Sequence, residues 1–432
     1  MRTCAIDNYA ARLCDLVEAE WSAVSFDMQA FPSIAAAALT ELPPAGSIDI
    51  HAICEWLSRR EELPVQYDPS SAFGQPALTI AWGTNKRFFV DVYLWMDTIA
   101  SIHNHPFAGA FAMIAGESIH KSFEFVEQDR VSSSFRIGRL LSRQLEILRP
   151  GDARPFSVPD ALIHSLLHVD PLSISCVVRT PHEQSHTYWS YFPPTIAAEV
   201  RRNSRAIGGI PILLHRRMQT LRLLGTLRSP AYSSLLADVL ASSDLESVFY
   251  ILLEAEDNEF TRRQAATLWE TCARRFGARF DAVASAIGEQ VARNRLETAH
   301  TSVLDGKGRF WNDALLSADT PQDLSSLVKQ KYSNVQSCSQ ALATWFVRER
   351  FKLGDQWLDS EEMAARVLAL WLAGSDQDAI LKNPAVEPAG SSGPEFSATV
   401  ANAISSFQES PMLMRARSLL GRAACPSPTS IS

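Results

Sequence analysis

The chain has 432 residues and a formal net charge of -8, a length that asks for more than one core and an acidic balance that excludes nucleic acid or an anionic membrane as the main partner. Its seven cysteines (Cys4, Cys14, Cys54, Cys176, Cys272, Cys338, Cys425) are scattered and never form a CxxC pair, which excludes a disulfide framework and a thiolate zinc site. Met1-Arg2-Thr3-Cys4-Ala5-Ile6-Asp7 runs into charged, amphipathic sequence without an apolar h-region, and no stretch approaches the ~18 apolar residues of a membrane span, so a cytoplasmic location is expected.

Residues 6–24 place Tyr9, Leu13, Leu16 and Val17 at helical spacing with Trp21 one turn beyond, which predicts an amphipathic first helix. After Pro43-Pro44 a second helix is predicted from Asp49 to Arg60, with Ile53 and Leu57 on one face and His51 as a solvated helix residue. From Pro64 the texture changes to short β-rich runs: Ala77–Trp82, Phe88–Met96, Ile99–His105, Ala110–Ala115, His120–Val126, Ser133–Leu140, Gln144–Leu148, His164–His168, Ser173–Thr180 and Thr187–Phe192. Many short strands separated by Gly, Pro, Asn and Asp predict an all-β sandwich or barrel.

The pattern turns helical after Pro193-Pro194. Leu214, Met218, Leu221 and Leu224 share a face, and breaks are expected at Ser229-Pro230, Asp257-Asn258 and Thr320-Pro321. No repeat of 34 to 47 residues is evident. The Pro- and Gly-Ser-rich stretch from Lys382 to Pro394 reads as a flexible linker. The expected organisation is therefore a helical segment (1–63), a β-domain (64–196), an all-helical domain (197–381), a linker (382–395) and a C-terminal helix with a tail (396–432).

Seven of the ten histidines lie between His103 and His186. His103 and His105, at i and i+2 in an extended segment, point to one face and offer two imidazoles to a single ion. A third must come from a neighbouring strand, and His164 is the candidate: it follows the Pro150-Gly151-Asp152 turn and the Val158-Pro159-Asp160 bend and opens a β run. His168 lies roughly 13 Å further along by strand rise, too far to share the same ion, and is the reserve choice. His120, fifteen residues after His105, is a further histidine that could be drawn in, but it begins the strand after Gly116-Glu117 and is expected to be exposed. Arg179 is either a clamp for a substrate anion, through its bidentate fork, or a residue that points outward or pairs with an acid such as Glu183. Tyr188, Trp189 and Tyr191 read as barrel and interface aromatics, with Tyr188 the candidate substrate contact.

Over roughly residues 88–192 the sequence resembles the cupins, and among them the thiol dioxygenases typified by cysteine dioxygenase. The resemblance rests on Trp95, Ser101-Ile102-His103-Asn104-His105, the apolar run Phe111 to Gly116, Ile163-His164 and Thr180-Pro181. Most cupins place a glutamate ligand about five residues beyond the His-x-His; here Ala110 stands there, and thiol dioxygenases lack that glutamate as well. The resemblance implies a jelly-roll barrel with one Fe(II) on His103, His105 and His164; with the helical patterns on either side, the expected fold is that barrel preceded by helices and followed by an all-α domain. The sequence departs from the animal enzymes in two ways. Their thioether cannot form, because Ala110 and Arg179 occupy its two positions. Their Ser-His-Tyr relay is broken, because only Ser175 matches while Val177 and Arg179 replace the rest.

The expected function is thus an Fe(II)-dependent oxygenase acting with O2 on a small anionic substrate, thiol or amino-acid-like, with Arg179 and Ser175 as candidate catalytic residues and Arg179 and Tyr188 as substrate contacts. A neutral three-histidine set leaves the ion its full charge, which favours an anionic chelating substrate. Two other readings stand beside it: an isomerase or lyase using Mn, Ni or Zn, and a non-catalytic cupin module. The helical part would then serve a protein or carrier partner, or a homodimer.

Overall fold

In the computed structural model the described residues are 5–67, 77–96, 101–157, 162–183, 186–201, 206–207, 209–302, 306–352, 358, 360–386 and 394–421. The chain divides into two compact units, Met1–Gln144 with Leu148–Asn294, and Leu145–Ile147 with Arg295–Ser432. No helix is long and apolar enough among the described residues to cross a membrane. Half of the linker expected at 382–395, residues 387–393, lies outside the described residues, and its last two positions already belong to a helix that begins at Pro394; part of the run expected at Ile99–His105 also lies outside them.

The first unit opens with α1 (Ala5–Ala23), α2 (Phe31–Glu41) and α3 (Ile50–Ser58). Helix α1 buries Tyr9, Leu13, Val17 and Trp21, one stripe at helical spacing. Helix α3 is started by Asp49, whose carboxylate accepts from the Ala52 N–H. Ten strands follow: β1 (Ala77–Trp82), β2 (Phe89–Met96), β3 (Gly109–Ala115), β4 (Ser118–Arg130), β5 (Phe135–Leu148), β6 (Ala153–Phe156), β7 (Ile163–His168), β8 (Leu172–Arg179), β9 (Trp189–Phe192) and β10 (Ile196–Glu199). They build two five-stranded sheets, ordered β1-β2-β8-β3-β6 and β7-β4-β5-β10-β9. The two predicted runs at Ser133–Leu140 and Gln144–Leu148 are one continuous strand, β5.

Period-2 alternation decides where each side chain of the first sheet goes. Val90, Val92, Ala110, Ala112, Ile174, Cys176 and Val178 join the core beneath α1 to α3. The intervening residues face the second sheet. Phe111, Met113 and Val177 pack there with Leu148, Phe156 and Leu166, and Trp95 of β2 stacks on His168 of β7 at 4.7 Å. The two sheets face one another without closing into a single barrel.

The second sheet acquires one further connection. His103 exchanges two backbone hydrogen bonds with His164 on β7, both 2.9 Å, while the Asn104 N–H donates to Trp189 O and the Tyr191 N–H to Ile102 O on β9. Residues 102–104 thereby bridge the sheet's two outer strands. Ile102, Ile163, Trp189, Tyr191 and Ala197 collect on one face of this assembly, and Phe135, Ile137, Ile196 and Ala198 on the other meet the following helices. A short hairpin, β11 (Ala206–Ile207) and β12 (Ile210–Pro211), leads into α4 (Ile212–Thr226), α5 (Tyr232–Ser242), α6 (Leu245–Ala255), α7 (Glu259–Ala266), α8 (Trp269–Phe276) and α9 (Ala278–Ser302). Ser134, Arg201 and Glu246 form a polar knot beside that core, with Ser134 Oγ donating to Glu246 Oε2 at 2.8 Å.

The second unit is helical: α10 (Gly306–Ser317), α11 (Pro321–Lys331), α12 (Cys338–Lys352), α13 (Glu361–Leu372), α14 (Gln377–Leu381), α15 (Pro394–Gln408) and α16 (Pro411–Leu420). Helix α10 is its centre, since every residue from Gly308 to Ser317 is buried. Thr320 and Asp323 close a capping box on α11, where the Thr320-Pro321 break was expected.

Candidate metal centre

His103 and His164 are brought together by the backbone before any side chain is considered. They form a mutually hydrogen-bonded antiparallel pair, and opposed residues of such a pair project to the same face. Their neighbours Ile102 and Ile163 turn the opposite way, into the apolar cluster around Trp189. His105, two residues beyond His103, returns to the histidine face.

The result is an almost equilateral triangle of imidazoles. Ring centroids lie 4.8 Å apart for His103 and His105, 5.0 Å for His103 and His164, and 4.9 Å for His105 and His164. One ligand nitrogen from each lies within 4.8 Å of the other two, and His105 Nε2 approaches His164 Nε2 to 2.8 Å. The Nδ1–H of His103 donates to Ser101 O at 2.6 Å, which fixes that ring's tautomer.

The surroundings are apolar. Phe107 and Phe156 each lie 4.9 Å from the His105 ring, Phe111 lies 5.9 Å from His164, and Tyr188 lies 5.5 Å from His103. Burial, reinforced by His105, His103 and His120 around it, holds the His164 pKa well below the ordinary histidine value. The ring is neutral at pH 7. A neutral imidazole with a free lone pair is the form that binds a divalent ion, so the donor set suits Fe(II), Mn(II), Ni(II) or Zn(II).

His120 is the residue that sequence reasoning misplaced. It was expected at the surface and is only 2% exposed, because the register of β4 on β7 sets it opposite Leu166 with its side chain turned inward. Its Nε2 lies 3.1 Å from His164 Nδ1. The available signal was the polar set Ser118, His120 and Ser122 at period 2, one face of one strand. His168, set aside as a ligand by strand rise, instead accepts or donates at Nδ1 with Ser118 Oγ at 2.8 Å. Asn104 faces away, its Oδ1 accepting from the Trp189 N–H.

Arg179 and Ser175 face the interior, as the alternation along β8 requires, and each holds a partner there. The Arg179 guanidinium donates twice to Asp91 Oδ2, at 3.2 and 3.0 Å, and once to Tyr93 Oη. It lies between the rings of Phe89, Phe107 and Tyr67, 4.3 to 5.1 Å from their centroids. Of the two readings of Arg179, the pairing one describes this arrangement, with Asp91 in the place suggested for Glu183. Glu183 instead pairs with His186. Ser175 Oγ accepts from Trp95 Nε1 at 2.9 Å. Phe107 is the ring common to both clusters, against His105 on one side and Arg179 on the other.

Compared with protein-family models and with curated proteins, the chain matches none.

Proposed function

We propose that the β-rich part of this chain is a cupin-like domain that holds a single Fe(II) ion on His103, His105 and His164 and oxidises a small anionic substrate with O2. The observation that carries the reading is the triangle of three imidazoles in an apolar recess, with burial holding His164 well below the ordinary histidine pKa. The bound ion would supply a template for substrate and O2 together, with its charge undiminished by any carboxylate in the set. The protein's own residues do the rest. Backbone pairing of His103 with His164 fixes two rings without side-chain adjustment, and the Ser101 carbonyl fixes the tautomer of the first. Phe107, Phe111 and Phe156 exclude water from that side, which raises the preference for a ligand that brings its own negative charge. Tyr188, against His103, offers the ligand a hydroxyl. Arg179 and Ser175 enter through what they hold, Asp91 and Trp95.

The test is metal analysis of full-length protein prepared without air, alongside His103→Ala and His164→Ala, with oxygen uptake followed against thiols and amino acids. One ion per chain in the parent, lost in both variants, with substrate-dependent O2 uptake, is the expected result. Equal turnover without oxygen would replace the oxygenase by an isomerase or lyase on another divalent ion. Absence of metal from the parent would remove the metal centre altogether.

A further inference from the structure

Four histidines, not three, converge in this interior, with His103, His120 and His164 buried and His105 partly so. Both ring nitrogens of His164 are engaged by other imidazoles: Nε2 meets His105 Nε2 at 2.8 Å, and Nδ1 meets His120 Nε2 at 3.1 Å. The ring planes of His120 and His164 are 79° apart with centroids at 5.2 Å, and the 3.1 Å separation of the two nitrogens is that of an N–H···N hydrogen bond. Both residues are 2% exposed, and Phe111 covers the pair, 5.9 Å from each ring. The strand register holds the contact in place, since Ser122 of β4 lies opposite His164 and His120 opposite Leu166.

We propose that His120 is a positioning residue for the metal centre: by accepting the Nδ1–H of His164 it locks that ring in the tautomer whose Nε2 faces His103 and His105. The inference rests on the metal reading given above and adds to it the residue that orients the third ligand. The proton bookkeeping is closed. A metal on His164 Nε2 requires the ring proton on Nδ1, where the partner among the described residues is His120 Nε2 at 3.1 Å, and an accepting His120 Nε2 places that ring's own proton on Nδ1. Metal-bound imidazoles are commonly oriented by carboxylates or carbonyls. Here the Ser101 carbonyl serves His103, and a second imidazole serves His164. An imidazole acceptor brings no charge, so it orients the ligand without reducing the positive charge at the site.

The experiment uses full-length, metal-free protein titrated with Co(II), comparing the parent with His120→Leu and His120→Gln. Leu fills the space without an acceptor, and Gln returns an oxygen that accepts from Nδ1–H. The expected result is a Co(II) dissociation constant weakened about 10- to 100-fold in His120→Leu, the range found for loss of such an orienting partner. In His120→Gln most of that loss is recovered and the visible d–d bands resemble the parent's. A second measurement needs no variant. In the Zn(II)-loaded parent, a slowly exchanging downfield imidazole N–H proton should correlate with the His164 ring through Nδ1.

Parent-like Co(II) affinity in His120→Leu, failure of Gln to recover the loss, or a Zn(II)-loaded His164 with its proton on Nε2 would each overturn the inference while leaving the three-histidine site intact. A parent that binds neither Co(II) nor Zn(II) would instead overturn the metal reading, and this inference with it.

Discussion

Arg179 with Asp91, and His164 with His103 and His105, are two buried polar groups in the same interior, separated by the ring of Phe107. The first carries permanent charge and is balanced on the spot: Asp91 answers the guanidinium, Thr79 Oγ1 donates to the other carboxylate oxygen at 2.8 Å, and aromatic faces take up the rest. In the second, burial holds His164 well below the ordinary histidine pKa. A guanidinium can be buried only together with its counter-charge, whereas an imidazole can be buried without its proton. On the function proposed above, the ion pair would serve the fold, and the imidazole triangle a ligand that supplies the missing charge.

The largest expected effect tests the first half of that contrast. Asp91→Ala leaves a buried guanidinium without its carboxylate and is expected to cost about 3–5 kcal/mol in urea unfolding, while the folded fraction keeps its Co(II) affinity. The next effect tests the second half. Divalent metal at a hundred times its dissociation constant stabilises the protein by about 2.7 kcal/mol, a chelator reverses this, and His164→Ala shows no such response. If Asp91→Ala also abolishes the metal-dependent gain, the two groups are one functional unit and the contrast is wrong.

The parts of this arrangement differ in how well the sequence announced them. The strand-rich stretch, α1 and α3 were legible because Val90 to Trp95 and Tyr9 to Trp21 keep clean periods of 2 and 3.6, and the His-x-His pair because period 2 alone puts both rings on one face. Helix α2 was not read: Ile34-Ala35-Ala36-Ala37-Ala38-Leu39 offers little contrast between its faces, and it earns its place by packing on the first sheet. The Asp91 partner of Arg179 lies 88 residues away. It meets Arg179 only because β2 pairs with β8 in a register that sets Asp91 opposite Val177, one diagonal step from Arg179. The burial of His120 and the bridge made by residues 102–104 likewise depend on strand register and on hydrogen bonds between distant segments, which local pattern does not encode. His164 could be nominated from its flanking turns, but its distance to His105 could not.

A smaller effect separates holding from reacting. Ser175→Ala removes the acceptor of the buried Trp95 N–H, a change expected to cost about 1–2 kcal/mol. Metal affinity and oxygen uptake should stay near the parent's. Loss of uptake with stability and metal binding retained would move Ser175 from the fold's side of the contrast to the chemistry's, as the partial likeness to the thiol dioxygenase relay implies.

The smallest effect is spread over pH and belongs to the histidines alone. In metal-free protein His164 is held neutral well below the ordinary histidine pKa, which is about 6.5 in an unfolded chain. Above pH ~6.5 neither state binds the proton, and the folded state keeps all of its stability. As pH falls below that value the unfolded chain gains a proton that the folded ring refuses, so stability declines by up to about 1.4 kcal/mol per pH unit for this one residue. The decline continues until pH reaches the depressed folded value. Urea unfolding of chelator-treated protein between pH 7 and pH 5 should show this slope, and His164→Gln should flatten it. Saturating metal should steepen the acid loss rather than remove it, because protons then compete for the same nitrogen. A slope unchanged by His164→Gln would mean that the acid response arises elsewhere, and that burial of the third imidazole is not where the fold gives up stability to keep a ligand ready.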